Sequence, residues 1–363
     1  MTMEALQEQI REAAAQQRRL RIRGHGSKDF YGGELTGDVL DMSGFSGISA
    51  YESSELYITA KAGTPIAEVE ALLAEHGQCL PFEPPRFGGN GPLNGTIGGM
   101  VACGLSGPTR STQGSVRDHV LGLTLVNGRA EAMNFGGTVI KNVAGYDVSR
   151  LVAGSMGLLG LIAEVSLKVL PRPVAEATLR FDMSQAQALV QLNRWGGQPL
   201  PLNASAWWDG ALVLRLAGAQ AAVRSAIQTL GGDVIPQDMA QPFWSGLRDH
   251  EDEFFQGATR AVQGGARLWR VSVPSTAPVL ELRGEQLIEW GGAQRWVVTP
   301  LAAPQVREMA AGVGGHATLF RSLDKSPGAF APLSAQLMRI HRELKKAFDP
   351  SGVFNFGRLY PEL

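Results

Sequence analysis

The 363-residue chain is poor in cysteine, in net charge and in the common nucleotide and metal signatures. Its two cysteines, Cys79 and Cys103, cannot build a disulfide framework and read as reduced thiols. Lys and Arg number 33 against 34 Asp and Glu, a formal net charge of −1, which argues against nucleic acid or an anionic membrane as the main partner. No run of eighteen apolar residues occurs, so no membrane span is expected. The N-terminus, MTMEALQEQIREAAAQQ, reads as a polar helix without a hydrophobic signal core, and a cytoplasmic location is expected. The pattern GxxxxGK[ST] is absent, and Gly24-His25-Gly26-Ser27-Lys28-Asp29 misses GxGxxG because Asp29 stands at the third glycine. None of the six histidines pairs as HxH or HxxxH, so no metal site is expected. No serine sits in a G-x-S-x-G elbow and neither cysteine has a histidine neighbour, so no catalytic nucleophile is assigned.

What the chain has in abundance is glycine. Phe87 to Thr109 holds eight glycines and no charged side chain. Such a stretch binds an anion or a flat ligand through backbone N–H groups, because glycine reaches the conformations that turn successive N–H groups to one point. The alternative is a buried turn between strands. Gly24 to Lys28, after a short strand at 20–23, offers a similar cradle suited to a diphosphate, and residues 154–162 form a third.

Length favours two domains, and 44% hydrophobic against 18% charged residues describes a soluble globular protein with ample core. Residues 4–17 read as an amphipathic helix with Leu6, Ile10 and Ala13 on one face. After a strand at 56–60, Thr64 is expected to cap a helix with Pro65 first, Ile66, Val69, Leu72 and Leu73 inward and Gly77 as its stop. Residues 114–128 read as a turn and a strand ending in an Asn127-Gly128 hairpin turn. Pro171-Arg172-Pro173 marks a boundary. Beyond it fall all seven tryptophans, Trp195 to Trp296, and no lysine occurs between Lys168 and Lys325. Core positions explain most of those tryptophans better than an interface does. Strand, helix, two strands, helix, strand over this region is the ferredoxin-like pattern. A last helix over 334–348 is expected to turn Leu337, Ile340 and Leu344 inward.

The blocks TIGGMVACGLSGPTR, GSVRDHVLGLTLVNG, KNVAGYDVSRLVAGSMGLLGLIAEVSLKVLP and FDPSGVFNFGRLYP resemble the FAD-linked oxidases of the vanillyl-alcohol-oxidase type, and among them the small FAD-binding subunits of bacterial glycolate oxidases. The resemblance covers the first 173 and last 30 residues well and the middle in pattern. It implies an α+β fold: a PCMH-type FAD-binding domain of two subdomains over 1–173, a ferredoxin-like cap over 174–330, and residues 331–363 returning to the FAD domain. By the same resemblance Arg23, Gly24, His25, Gly26, Ser27 and Lys28 wrap the FAD pyrophosphate. Gly95, Thr96, Ile97, Gly98 and Gly99, with Ala102, Gly104 and Gly107, lie along the ring system and ribityl chain. Gly114 and Ser115 add a backbone contact, and Ile162 packs near the flavin or adenine.

Three departures qualify what is implied. Ser27 stands where some relatives attach flavin covalently through histidine, so the FAD is expected to be noncovalent. The paired histidines of the larger glycolate-oxidising subunits are reduced to His316 in GGHATLF, with Arg321 beside it as a lone candidate for a carboxylate. The family's Asn-Pro-Gly becomes Asn355-Phe356-Gly357. The implied function is an FAD-binding subunit acting on a small 2-hydroxy acid, glycolate, beside a larger flavin-containing subunit and an iron–sulfur subunit, peripheral at the inner membrane through those partners. The alternatives are a non-redox paralogue that stabilises the complex and a self-sufficient FAD-dependent 2-hydroxy-acid dehydrogenase.

Overall fold

The structure is a computed structural model that describes residues 1–88, 95–139 and 146–363. Part of the glycine-rich stretch, including Gly91, and part of the block KNVAGYD therefore lie outside the described residues. The chain divides into two compact units, the first made of Met1–Leu105, Ser115–Pro171 and Pro332–Leu363, the second of Ser106–Gly114 and Arg172–Ala331.

In the first unit, helix α1 (Met3–Ala15) begins at Thr2, whose hydroxyl accepts from the Ala5 amide, and it buries Leu6, Ile10 and Ala13. Strand β1 (Leu20–Arg23) pairs in parallel with β2 (Asp38–Asp41). A five-stranded antiparallel sheet combines β3 (Ile48–Glu52), β4 (Tyr57–Lys61), β5 (Val120–Val126), β6 (Ala132–Gly136) and β7 (Leu161–Lys168) in the order β3-β4-β7-β5-β6. Strand β7 is central and buried along most of its length, as its near-continuous apolar run requires. Helix α2 (Ile66–Glu75) and helix α3 (Ile97–Cys103) bury Ile66, Val69, Leu73, Ile97, Met100 and Val101 in the same core.

Three local expectations differ from what forms. Thr64 does not cap α2; its hydroxyl accepts from the Gly47 amide and donates to the Gly47 carbonyl, and Pro65 begins the helix without a side-chain cap. Residues 127–131 form a five-residue connection in place of a two-residue turn. The Asn127 side chain accepts from the Arg129 and Glu131 amides, and Gly128 is needed because a Cβ there would lie 2.2 Å from the Asp349 carboxylate. The C-terminal helix, Ala335–Phe348, inverts its expected face: Leu337 and Ile340 are 47% and 54% exposed, and Lys345 is the residue it buries.

The second unit is an eight-stranded antiparallel sheet. Its first half runs β8 (Ala175–Asp182), α4 (Gln185–Gly196), β9 (Leu202–Trp208), β10 (Ala211–Gly218), α5 (Gln220–Leu230) and β11 (Asp233–Ile235). Two helices follow, α6 (Gln237–Asp249) and α7 (Glu253–Gln263). The second half has β12 (Arg267–Ser272), β13 (Glu285–Glu289), β14 (Gln294–Thr299), α8 (Ala303–Gly312) and β15 (His316–Arg321). The order β11-β8-β10-β9-β13-β14-β12-β15 is the ferredoxin-like order written twice and joined where β9 pairs with β13. The second copy lacks its first helix. The chain between β12 and β13 is instead held by the fully buried Arg295, which donates to the carbonyls of Ala277 and Pro278. Trp244, Trp269, Trp290 and Trp296 are buried, so the core reading of the tryptophans holds for these four.

Candidate functional site

The cleft of the first unit opens where β1 runs into the Gly24–Lys28 turn. Its empty space, counted out to where it meets solvent, is about 820 Å³. One wall is the 21–29 segment; the other is built from Ala62, Thr96, Gly98, Gly99, Ala102 and Cys103, with Met156, Gly157, Gly160 and Ile162 beside them.

Glycine is required at the turn for two separate reasons. A Cβ on Gly24 would lie 2.4 Å from Thr96 Oγ1, so the chain passes against the start of α3 only without a side chain. Gly26 has φ +72, a conformation that disfavours any Cβ, and its carbonyl accepts from the Asp29 amide at 3.0 Å to close the turn. Thr96 is the cap of α3, accepting from the Gly99 amide at 3.3 Å. The 154–160 loop returns to α3 through Gly154 N–H to Val101 O at 2.9 Å and Met156 N–H to Ala102 O at 2.8 Å.

Charge enters from side chains that the glycine pattern did not announce. Arg23 pairs with Asp29 at 3.2 Å, and Lys28 is 7% exposed with Nζ 3.4 Å from Ser27 Oγ. Arg21 and Arg358 also line the cleft. Arg358 is 6% exposed and donates to the carbonyls of Gly33 and Tyr31; burial lowers its pKa, and Cys103, Asp29 and Glu34 offset part of that shift. The Cys103 thiol is pushed up by burial, against the opposing charges of Lys28 and Arg358. Asn355, in a left-handed conformation at φ +45, accepts from the Ile22 amide at 2.7 Å and donates to Met156 O at 2.6 Å, joining both walls. The block FDPSGVFNFGRLYP contains both Asn355 and Arg358, but nothing in its local pattern places them at the cleft, because both arrive from the far end of the chain.

The cleft thus gathers Arg23, Gly24, His25, Gly26, Ser27, Lys28, Thr96, Gly98, Gly99, Ala102 and Ile162 from the sequence expectations. Gly95 lies just behind it, where a Cβ would be 2.5 Å from Lys28 Nζ. Gly98 and the remaining expected residues also hold the fold together. Gly98 is helical, and a Cβ there would meet Ala62 Cβ at 2.6 Å, so packing of α3 against the end of β4 requires it as much as the cleft does. Ile97 is fully buried in the core. Gly104 ends α3 at φ +64, its space taken by the Gly154 backbone. Gly107 and Gly114 belong to the second unit, where the Gly107 carbonyl accepts from Trp290 Nε1 at 3.0 Å. Ser115 is spent in a capping box with Asp118.

His316 and Arg321 fall in the second unit, on the edge strand β15. Trp269 pairs with Leu319 and Leu268 with Arg321, so a bulge at Phe320 interrupts the alternation and puts Arg321 on the face of Leu268 and Arg270. On that face the His250 ring stacks on Phe255 at 3.6 Å and meets the edges of Trp296 and Phe320. Burial, then the charges of Arg321 and Arg270, hold His250 well below the usual imidazole range. Burial pushes Arg321 down to about 10. His316 is lowered by partial burial and by Arg270. Among the described residues no group of three His, Cys, Asp or Glu side chains could hold a metal ion.

The glycine turns, the cationic flank and the apolar wall fit an FAD: diphosphate at the first two, a flat ring at the last. Residues 1–136 match the FAD binding domain family. The chain is 46% identical over 360 residues to the glycolate oxidase subunit GlcE of Escherichia coli K12, covering 99% of this chain and 98% of that one. Over 155 residues it is 39% identical to the glycolate oxidase subunit GlcD of Bacillus subtilis, covering 43% of this chain and 32% of that one. Over 158 residues it is 31% identical to the mitochondrial D-lactate dehydrogenase (cytochrome) of Arabidopsis thaliana, 43% of this chain and 27% of that one. Among solved structures, alkyldihydroxyacetonephosphate synthase superposes with a TM-score of 0.62 at 14% identity, covering 96% of this chain and 74% of that one, which shows a shared fold.

Proposed function

We infer the function from one premise: this chain belongs to the family of FAD-linked oxidoreductases that includes the glycolate oxidase subunit GlcE. On that premise the chain is an FAD-holding subunit of a glycolate oxidase complex, in which glycolate becomes glyoxylate and electrons pass to an iron–sulfur partner and a quinone. Bound FAD supplies the two-electron chemistry there. The chain's own residues bind and orient it. Amides of the 24–28 turn, with Arg23 and Lys28, meet the diphosphate, while Thr96, Gly98, Gly99, Ala102 and Ile162 face the flat ring system. The cationic flank of Arg21, Lys28 and Arg358 would balance the charge of the diphosphate. Ser27 carries no ring nitrogen to form a flavin bond, so the FAD is held noncovalently. The chain acts at the membrane through its partners; no described helix is long and apolar enough to cross one.

The cleft itself, with glycine where a Cβ would collide and cations at its flank, is the observation that carries this reading. The isolated chain is expected to turn over glycolate feebly, because the paired histidines of the larger glycolate-oxidising subunits are reduced here to His316. Anaerobic mixing of the purified, FAD-loaded chain with glycolate tests it. Slow or absent bleaching, restored when the larger flavin subunit and iron–sulfur subunit are added, is expected. Rapid bleaching by the single chain would make it a self-sufficient dehydrogenase.

A further inference from the structure

A buried lysine in the C-terminal helix is the least expected group in the first unit. Lys345 is 8% exposed, and all three of its ammonium protons are used: Asp349 Oδ2 at 2.6 Å, Leu158 O at 2.8 Å and Phe354 O at 2.8 Å. Asp349 has a fully buried side chain and accepts in addition from the amides of Val353 at 3.0 Å and Phe354 at 2.8 Å. Burial lowers the lysine pKa and the aspartate works against that shift, so the pair is an ion pair in a dry setting. It ties together three pieces of chain: the C-terminal helix, the 154–160 loop and the tail that returns from the helix.

That tail is what closes the cleft. Leu20 N–H donates to Val353 O at 2.7 Å, and Asn355 N–H donates back to Leu20 O at 2.9 Å, so the tail runs beside β1. One step on, Asn355 joins the Ile22 amide to Met156 O, and Arg358 clasps the carbonyls of Tyr31 and Gly33. Both cleft walls are therefore fastened by one strap, and the strap starts at Lys345 and Asp349. The ion pair reaches nothing in the cleft directly.

We propose that Lys345 and Asp349 are positioning residues for the cofactor: their ion pair sets the 353–358 strap, and the strap sets the separation of the two cleft walls that grip FAD. This rests on the reading of the cleft as the FAD site. Asp349 packs against Gly128 in the β5–β6 connection but makes no bond within the strand ladders, so removing the pair should leave the strand pairing intact and loosen the grip.

The test measures FAD affinity by titration of flavin fluorescence, with amide hydrogen exchange on the flavin-free chain. Lys345→Met leaves a buried carboxylate without its cation and can unfold the unit, so the deciding variant is Lys345→Met combined with Asp349→Leu, which removes both charges together. Wild type binding FAD is the control; failure of wild type to bind would overturn the cleft reading itself. The double variant is expected to melt cooperatively and to bind FAD about tenfold or more weakly. Exchange should speed at Ile22, Val353, Phe354 and Asn355 and stay unchanged in β5 and β7. If the double variant binds FAD as tightly as wild type, or if exchange rises equally across β5 and β7, the pair is only a structural bond and the proposal fails. A double variant that does not fold contradicts it as well, because the sheet would then depend on the pair.

Discussion

The two units each gather positive charge, and they do it by opposite means. In the first, Arg23, Lys28 and Arg358 stand around a cleft walled by glycine turns, so the cations border open space. In the second, Arg270 and Arg321 share a sheet face with a histidine boxed by Phe255, Trp296 and Phe320, and the cations border packed rings. The first arrangement suits a ligand of a cofactor's size. The second holds its imidazole neutral. A cationic cluster thus reads as a binding site when backbone without side chains leaves room beside it, and as packing when aromatic rings fill that room.

Widening the contrast should begin at Gly24. Gly24→Val drives its methyl groups against Thr96, which lines the cleft, and FAD affinity should fall about 10–100-fold, the equivalent of about 1–3 kcal/mol. Gly98→Val is the comparison, because its Cβ meets Ala62 within the fold: it should lower the melting temperature of the flavin-free chain as well as FAD affinity. Titration with FAD and melting of the flavin-free chain separate the two. Equal, selective loss of FAD from both variants would mean that Gly98 serves the ligand alone.

A smaller effect belongs to the second unit. The unfolded chain's His250 takes up a proton near pH 6.5 while the folded ring, held well below that, does not, so stability falls as pH drops below that value. Asp252 works in the other direction. Burial raises its carboxyl from 3.8 to about 6 despite bonds from the Phe255 and Phe254 amides, so between those values the folded state holds the extra proton and acid stabilises it. Denaturant melts from pH 7 to 4 should show His250→Phe losing the acid-side penalty and Asp252→Asn deepening it, the latter by about 1–2 kcal/mol. Parallel profiles for wild type and both variants would contradict the buried-imidazole account.

The smallest effect is expected where periodicity promises a large one. Leu337→Ala and Ile340→Ala change half-exposed side chains and should shift stability by about 0.5 kcal/mol or less, measured by denaturant melts. A loss of about 2–5 kcal/mol, as for a core leucine, would restore the inward face that the spacing suggests.

That helix marks the limit of what local pattern reveals. Helix α1, the strands around 20–23 and 57–61, and the first ferredoxin-like half follow from apolar spacing and turn residues, because their partners are near in sequence. The cradle at Gly24–Lys28 is legible for the same reason, since glycine's freedom is a local property. Arg358 and Asn355 are not legible there: they reach the cleft by returning more than 300 residues later. Lys345 carries no sign of its burial, because a lysine in a helix is ordinarily solvated; what makes burial tolerable is Asp349 one turn on, the Phe354 carbonyl and the carbonyl of the distant Leu158, which accept its three protons. Arg321 turns inward through a bulge, which no alternation pattern foretells.

The most direct test of the central claim is the fate of the flavin in this chain, purified alone. The chain should be yellow or become so on adding FAD, its melting temperature should rise with FAD, and acid precipitation should release all the colour into the supernatant. Flavin that stays with the pelleted polypeptide would contradict noncovalent binding at the Ser27 turn, and a colourless chain whose melting ignores FAD would contradict the cofactor cleft itself.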